Sequence, residues 1–141
     1  VYLHGISDPG NVGAIVRTAS ALIGGSVALG PDCADPFGPR AVRASMGAVF
    51  AEPLVRAGVE ETPQPRVGLV AHGGDSLDRL EGAATICLGA EREGLPGEVA
   101  DACDIRMTIP LREGAESLNV AAAAAIALHE ISSRGAGEGD G

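Results

Sequence analysis

IPLREGAESLNVAAAAAIALHEI, residues 109–131, decides how the rest of the chain is read. It joins an extended Ile-Pro strand end to a long alanine-rich run through a polar, glycine-containing turn. Ser117 is a preferred N-cap residue, and Val120, Ala124, Ala127 and Ile131 recur near helical spacing, so a helix is expected to begin just after it. The amides of Leu118, Asn119 and Val120 would then point out of the helix start, toward any ligand above the preceding strand end. The five alanines 121–125 leave that helix without bulk on any face, which suits close packing or a dimer contact.

Working outward, the 141 residues are enough for one domain with a single core. No N-terminal stretch reads as a signal peptide and no apolar run is long enough to span a bilayer, so a soluble, cytoplasmic protein is expected. Cys33, Cys87 and Cys103 are odd in number, widely spaced and without CxxC or clustered His, which indicates neither a disulfide framework nor a metal site. They read as small core residues. Trp is absent and aromatics are scarce, so the core has to be aliphatic, with close backbone packing. The net charge of −9 excludes broad electrostatic attachment to nucleic acid. Because the chain opens directly on VYLHGI, it reads as a strand cut from a longer protein, with an RNA-binding domain expected upstream.

Short apolar runs alternate with helical patterns. Strands are expected at 1–6, 26–29, 67–71, 84–88 and 104–109, with a strand-like stretch at 49–55 interrupted by Pro53. Helices are expected at 11–23, 40–46 and 95–103, a polar connection at 57–66, a loop or broken helix turn at 72–82, and a disordered tail at 133–141. Residues 1–132 form the domain. Alternation of this kind indicates α/β architecture with a parallel sheet, in which ligands gather at the carboxyl ends of the strands. Three polar turns, 7–11, 89–94 and 112–119, leave such ends and are expected to converge. GAEREG at 89–94 is neither GxGxxG nor a P-loop, which argues against a nucleotide held by its phosphates. Arg17 lies opposite the apolar stripe of its helix, and Arg40 and Arg43 form the one local concentration of positive charge.

DPGNVGAIVRTA at 8–19, LGAEREGL at 88–95 and IPLREGAESLNVAAAAAIAL at 109–128, with RASMG at 43–47, resemble in order and spacing the motifs of the SpoU family, also called the TrmH family, of SPOUT-class RNA methyltransferases. The resemblance implies an α/β/α domain with a C-terminal trefoil knot, a rare exception to the rule that chains do not thread. It also implies a homodimer, S-adenosyl-L-methionine as cofactor, no metal, and methylation of a ribose 2′-hydroxyl, of ribosomal rather than transfer RNA. Carried over by motif, Asn11, Arg17, Glu91, Ser117 and Asn119 are the implied catalytic positions. Leu88, Gly89, Ile109, Leu111, Ser117, Leu118 and Asn119 are those that hold the cofactor, largely through main-chain atoms. Arg17, Arg40, Arg43 and Arg92 would form the RNA-facing patch.

The segment between Val55 and Val67 is shorter and richer in proline than the helix-bearing connection usual in that family, so one peripheral helix is expected to be missing. A second reading, of a different class, is a non-catalytic RNA-binding or assembly protein that keeps the knotted dimer. Cofactor binding separates the two.

Overall fold

A computed structural model describes residues 1–83, 85–90 and 93–137. Seven parallel strands form one sheet in the order β3-β2-β1-β6-β4-β7-β5, with β1 at Tyr2–Leu3, β2 at Val27–Leu29, β3 at Leu54–Arg56, β4 at Arg66–Leu69, β5 at Asp75–Ser76, β6 at Thr85–Leu88 and β7 at Ile105–Thr108. Both faces of the sheet are covered, so its central strands are apolar on both sides. Leu3, Val27, Leu29, Val67, Ile86, Leu88 and Met107 pack into the larger core. The alternate residues Tyr2, Ala28 and Cys87 pack into a smaller one with Val59 and Val99.

The larger core lies beneath α1 (Pro9–Leu22) and α4 (Val120–Gly137). In α1 the buried stripe Val12, Ile15, Val16 and Ala19 follows helical spacing. Asp8 starts the helix, its Oδ1 accepting from the amides of Gly10 at 2.7 Å and Asn11 at 3.2 Å, with Pro9 in the first turn. Gly13 permits a close crossing with α2 (Pro39–Ser45): a Cβ there would overlap the Ala41 carbonyl and lie 2.9 Å from Ala44 Cβ. In α4, Val120, Ala124, Ala127 and Leu128 are buried and Ile131 is half-buried. The alanine-rich run thus lets α4 lie close on α1 and β6. On the opposite face sits the short α3 (Gly97–Ala102), against β4 and the 3-10 turn Val59–Glu61.

Arg66 ties this second face together. Its guanidinium donates to the carbonyls of Glu60, Thr62 and Ala102, while its amide donates to Asp104 Oδ2 at 2.8 Å. One arginine therefore joins β4 to the connection before it and to the end of α3. No peripheral helix stands between β3 and β4, only that 3-10 turn, in agreement with the short, proline-rich sequence.

The structure departs from the sequence reading in four places. Residues 49–55 are not one strand: Ala48–Phe50 is a 3-10 turn and only Leu54–Arg56 is extended. Pro53, whose carbonyl accepts from the Val27 amide at 3.0 Å, marks the boundary. The stretch read as loop at 72–82 contributes the edge strand β5 and a 3-10 turn at Leu77–Arg79, whose Leu77 is buried, as is Leu80 just after it. Helix α4 starts at Val120, later than Ser117 would set it. It also runs to Gly137, into the tail read as disordered, where Arg134 donates to the Asp78 carbonyl and pairs with Glu130 at 3.4 Å.

The cysteines are packing residues, as expected, and all three are free. Cys87 and Cys103 nonetheless touch: their mutual hydrogen bond holds Cys87 above and Cys103 below the ordinary thiol range. Gly68, in register with Cys87, makes room for this contact, because a side chain there would meet Cys103 Sγ.

Candidate functional site

The carboxyl ends of three adjacent strands, β6, β4 and β7, open into one cleft. Leu69, Val70 and Ala71 line it after β4, Leu88, Gly89, Ala90 and Gly94 after β6, and Thr108, Ile109 and Leu111 after β7. Residues 116–118, with Val120 and Ala123 of α4, close the remaining side. The cleft holds about 620 Å³ of empty space, counting its open mouth. Its side chains are mostly aliphatic, so main-chain groups of the three turns supply most of its polarity. Glu116 is the single charged residue among the described lining residues. Gly89 is needed for the geometry: a Cβ there would overlap the Gly94 carbonyl and the Leu95 amide. The Gly94 amide donates to the Ala90 carbonyl at 2.7 Å.

A second, polar cleft adjoins the first and shares Ala90, Gly94 and Val120 with it. His4, Gly5, Ile6, Ser7, Asp8, Asn11 and Asp32 line it from the β1 side, and Glu93 and Pro96 from the β6 side. His4 is oriented from beneath, its Nδ1 2.9 Å from the Tyr2 hydroxyl. Burial pushes the Tyr2 phenol up to about 12, so the hydroxyl of this pair keeps its proton. Gly30 makes room for the phenol, since a Cβ there would overlap the Tyr2 oxygen.

The two clefts meet along Ala90, Gly94 and Val120, and a pair of amides stands beside the second. Asn119 Nδ2 donates to Asn11 Oδ1 at 3.3 Å, across a sequence separation of 108 residues. The same Asn119 caps α4, its Oδ1 accepting from the amides of Ala121 at 2.9 Å and Ala122 at 3.3 Å. Asn119, not Ser117, is thus the N-cap. Ser117 stands two residues earlier, exposed, on the wall of the first cleft. Both types are good caps; the tertiary partner Asn11 and the extended run over the strand ends place the helix start after Asn119.

The structure gathers most of the residues named from sequence. Leu88, Gly89, Ile109, Leu111, Ser117 and Leu118 line the first cleft, and Asn119 joins Asn11 beside it. Arg17 lies elsewhere. Six residues along α1 from Asn11, a rise of about 9 Å, it is exposed beside Ala14, Thr18, Ala21 and Ala44, and it lines neither cleft. Arg40 and Arg43 are exposed on α2. Glu91 and Arg92 lie outside the described residues. Sequence reasoning missed the wall formed by Leu69, Val70 and Ala71, and the residues His4, Asp8 and Asp32. Their signal was positional, since they follow strand ends, but which strands are neighbours is not written locally. Among the described residues, no group of three His, Cys, Asp or Glu could hold a metal ion, and no helix is long and apolar enough to cross a membrane.

Fold and site together define an α/β domain with an aliphatic cleft across parallel strand ends and a polar cleft beside it. Comparison with known proteins narrows this class. A family model described as the SpoU rRNA Methylase family matches residues 1–129. The 23S rRNA (adenosine(1067)-2′-O)-methyltransferase of Streptomyces laurentii is 37% identical over 145 residues, covering 95% of this chain and 54% of that protein. Among solved structures, the SpoU methyltransferase AviRb from Streptomyces viridochromogenes, in complex with AdoMet, superposes with a TM-score of 0.87 at 30% identity, covering 96% of this chain and 60% of that one. The AdoMet-bound rRNA methyltransferase from Sinorhizobium meliloti superposes with a TM-score of 0.85 at 34% identity, covering 92% of this chain and 54% of that one. The chain belongs to the SpoU rRNA methylase family. It spans about half the length of the curated relatives it matches.

Proposed function

We propose that this domain transfers a methyl group from S-adenosyl-L-methionine to a ribose 2′-hydroxyl of RNA, ribosomal rather than transfer RNA. The observation that carries the reading is the adjoining of two clefts along Ala90, Gly94 and Val120, with the Asn11–Asn119 pair beside them: an aliphatic, backbone-lined cleft next to a polar one is what a bound methyl donor and an incoming hydroxyl require. The cofactor fits the donor set. Aliphatic walls from Leu88, Ile109, Leu111 and Leu118 suit an adenosyl group, main-chain groups around Gly89 and Ser117 suit its polar edge, and the Glu116 carboxylate complements a cationic ligand. When bound, S-adenosyl-L-methionine supplies the methyl group. The domain's own task is to align a 2′-oxygen and ease loss of its proton.

The polar cleft contains the carboxyl groups of Asp8, Asp32 and Glu93 and no Arg or Lys among its described lining residues. One chain alone is therefore poorly arranged for an anionic substrate. We assign the missing positive charge to Arg17 of a second copy, in a homodimer formed through the exposed side of α1. Leu22 and Ile23 at the end of α1, 37% and 38% exposed, and Ile126 of α4, 40% exposed, are apolar surface that such a contact would cover. A guanidinium remains protonated in proteins. Arg17 accordingly acts by pairing with the neighbouring phosphate and stabilising alkoxide charge, not by taking the proton. The strand order, with β6 between β1 and β4 and β7 between β4 and β5, is compatible with the knotted path that this reading carries for the segment leading to α4.

Incubation with methyl-labelled S-adenosyl-L-methionine and ribosomal RNA tests the reaction. Methylation of the 2′-oxygen blocks alkaline cleavage of the adjacent phosphodiester, so label is expected in an alkali-resistant dinucleotide. Label released wholly as mononucleotide would show base methylation and contradict the ribose assignment.

A further inference from the structure

We propose that residues 36–50 form a stacking surface for single-stranded RNA, with the exposed rings of Phe37 and Phe50 receiving unpaired bases and Arg40 and Arg43 holding the phosphates between them. The inference rests on the RNA reading above and adds a second contact region to it, outside both clefts.

Phe37 and Phe50 are 54% and 69% exposed, and Met46 of the same segment 73%. Such exposure is costly for the few aromatic residues of a chain whose Trp count is zero and whose Tyr count is one. The two rings touch, with centroids 5.9 Å apart and planes inclined at 32°. The backbone that carries each ring is fixed by hydrogen bonds. The Phe37 amide donates to Asp35 Oδ1 at 2.9 Å, and the Phe50 amide to the Gly47 carbonyl at 3.1 Å. Between them α2 turns Ala41 and Ser45 into the protein and leaves Arg40 and Arg43 exposed one turn apart.

Charge decides what kind of partner fits. The chain carries a formal charge of −9, yet residues 36–50 contain two arginines and no acid. Neither arginine has an ion-pair partner among the described residues. The nearest acids in sequence are engaged elsewhere: Asp35 accepts from the Phe37 amide, and Glu52 Oε1 accepts from the Ser20 hydroxyl at 2.7 Å. Contact with the same patch of a second copy would set the arginines of each copy against those of the other, and an apolar protein surface would bury them uncompensated. A single strand of RNA meets both demands, because every base offers a π face and every linkage an anion.

Because Trp is absent, Phe50→Trp places one reporter ring at the surface. The probe is an unstructured 12-nucleotide oligouridylate at low salt, with a duplex of the same length as control. Quenching of the Trp emission by the single strand but not the duplex is expected, together with a loss of about tenfold in affinity for Phe37→Ala. Arg40→Gln with Arg43→Gln should flatten the salt dependence, lowering the slope by about 1.4. Thermal melts check that the variants fold. Absence of quenching, or unchanged affinity in Phe37→Ala with Phe50→Ala, overturns the proposal. So does emission that changes with protein concentration alone alongside a shift in sedimentation, which would make the patch a self-association face. Titrating the same preparation with S-adenosylhomocysteine reads the cofactor cleft independently, so binding there without quenching overturns the stacking surface and leaves the methyltransferase reading standing.

Discussion

Asn119 has two duties, and its two side-chain atoms divide them. Oδ1 caps α4 while Nδ2 reaches Asn11 on the wall of the polar cleft. Asn119→Ala should lose about 1 kcal/mol of stability in urea unfolding, the ordinary worth of a cap, and methyl transfer with it. Asn119→Asp keeps the cap oxygen and exchanges the donor for an acceptor, so stability should be retained and activity lost. Ser117→Ala, which removes no cap, should unfold as the parent does. An equal loss of stability in Ser117→Ala and Asn119→Ala would contradict the placement of the cap. At this scale the site was largely legible in SLN and GAEREG, because cap residues and glycine-containing turns are local features. The choice between Ser117 and Asn119 was not, since it depends on a partner at the far end of the chain.

Among the elements, the contact of α1 with α2 rests on Gly13. An alanine in mid-helix ordinarily gains about 1 kcal/mol over glycine. At position 13 its Cβ would overlap the Ala41 carbonyl, and overpacking of that kind costs roughly 1–3 kcal/mol. The clash is against backbone, which cannot swing aside as a side chain can, so the steric cost should win. Gly13→Ala should lower the urea midpoint with the slope unchanged; a raised midpoint would show that the helices part without cost. Helix α1 was readable from its stripe and from Asp8-Pro9, since capping and amphipathicity are written within a few residues. The 49–55 stretch was misread because Val49 is buried under the helices instead of paired in the sheet, and apolar character alone does not separate those two fates. Nor was the strand order readable. Nothing near Thr85–Leu88 says that β6 lies between β1 and β4, and that placement is what brings the three turns into one cleft.

For the whole molecule, the central matter is that one chain holds the clefts but does not bring Arg17 to them. If a second copy supplies it, Arg17→Ala and Asn11→Ala chains, each inactive alone, should regain activity when mixed and refolded. Random pairing leaves one intact site in half of the dimers, so recovery should reach roughly a quarter of the parent rate. No recovery would place Arg17 and Asn11 in the same chain's site. Arg17→Lys should keep part of the activity, because a cation is retained; complete loss would favour a role that only the guanidinium geometry can fill. The net charge of −9 makes the same point at long range, since RNA has to be held by local arginines against an unfavourable overall field. All of this presupposes that the aliphatic cleft takes the methyl donor, which calorimetric titration with S-adenosylhomocysteine tests most directly, needing neither RNA nor the dimer contact to be understood. The account predicts one molecule bound per chain with a dissociation constant on the order of micromolar, about −8 kcal/mol, and its loss in Gly89→Ala, where the added Cβ would force the 89–94 turn open. No binding to the parent chain, confirmed by equilibrium dialysis, would contradict it and favour the reading of an RNA-binding or assembly protein without catalysis.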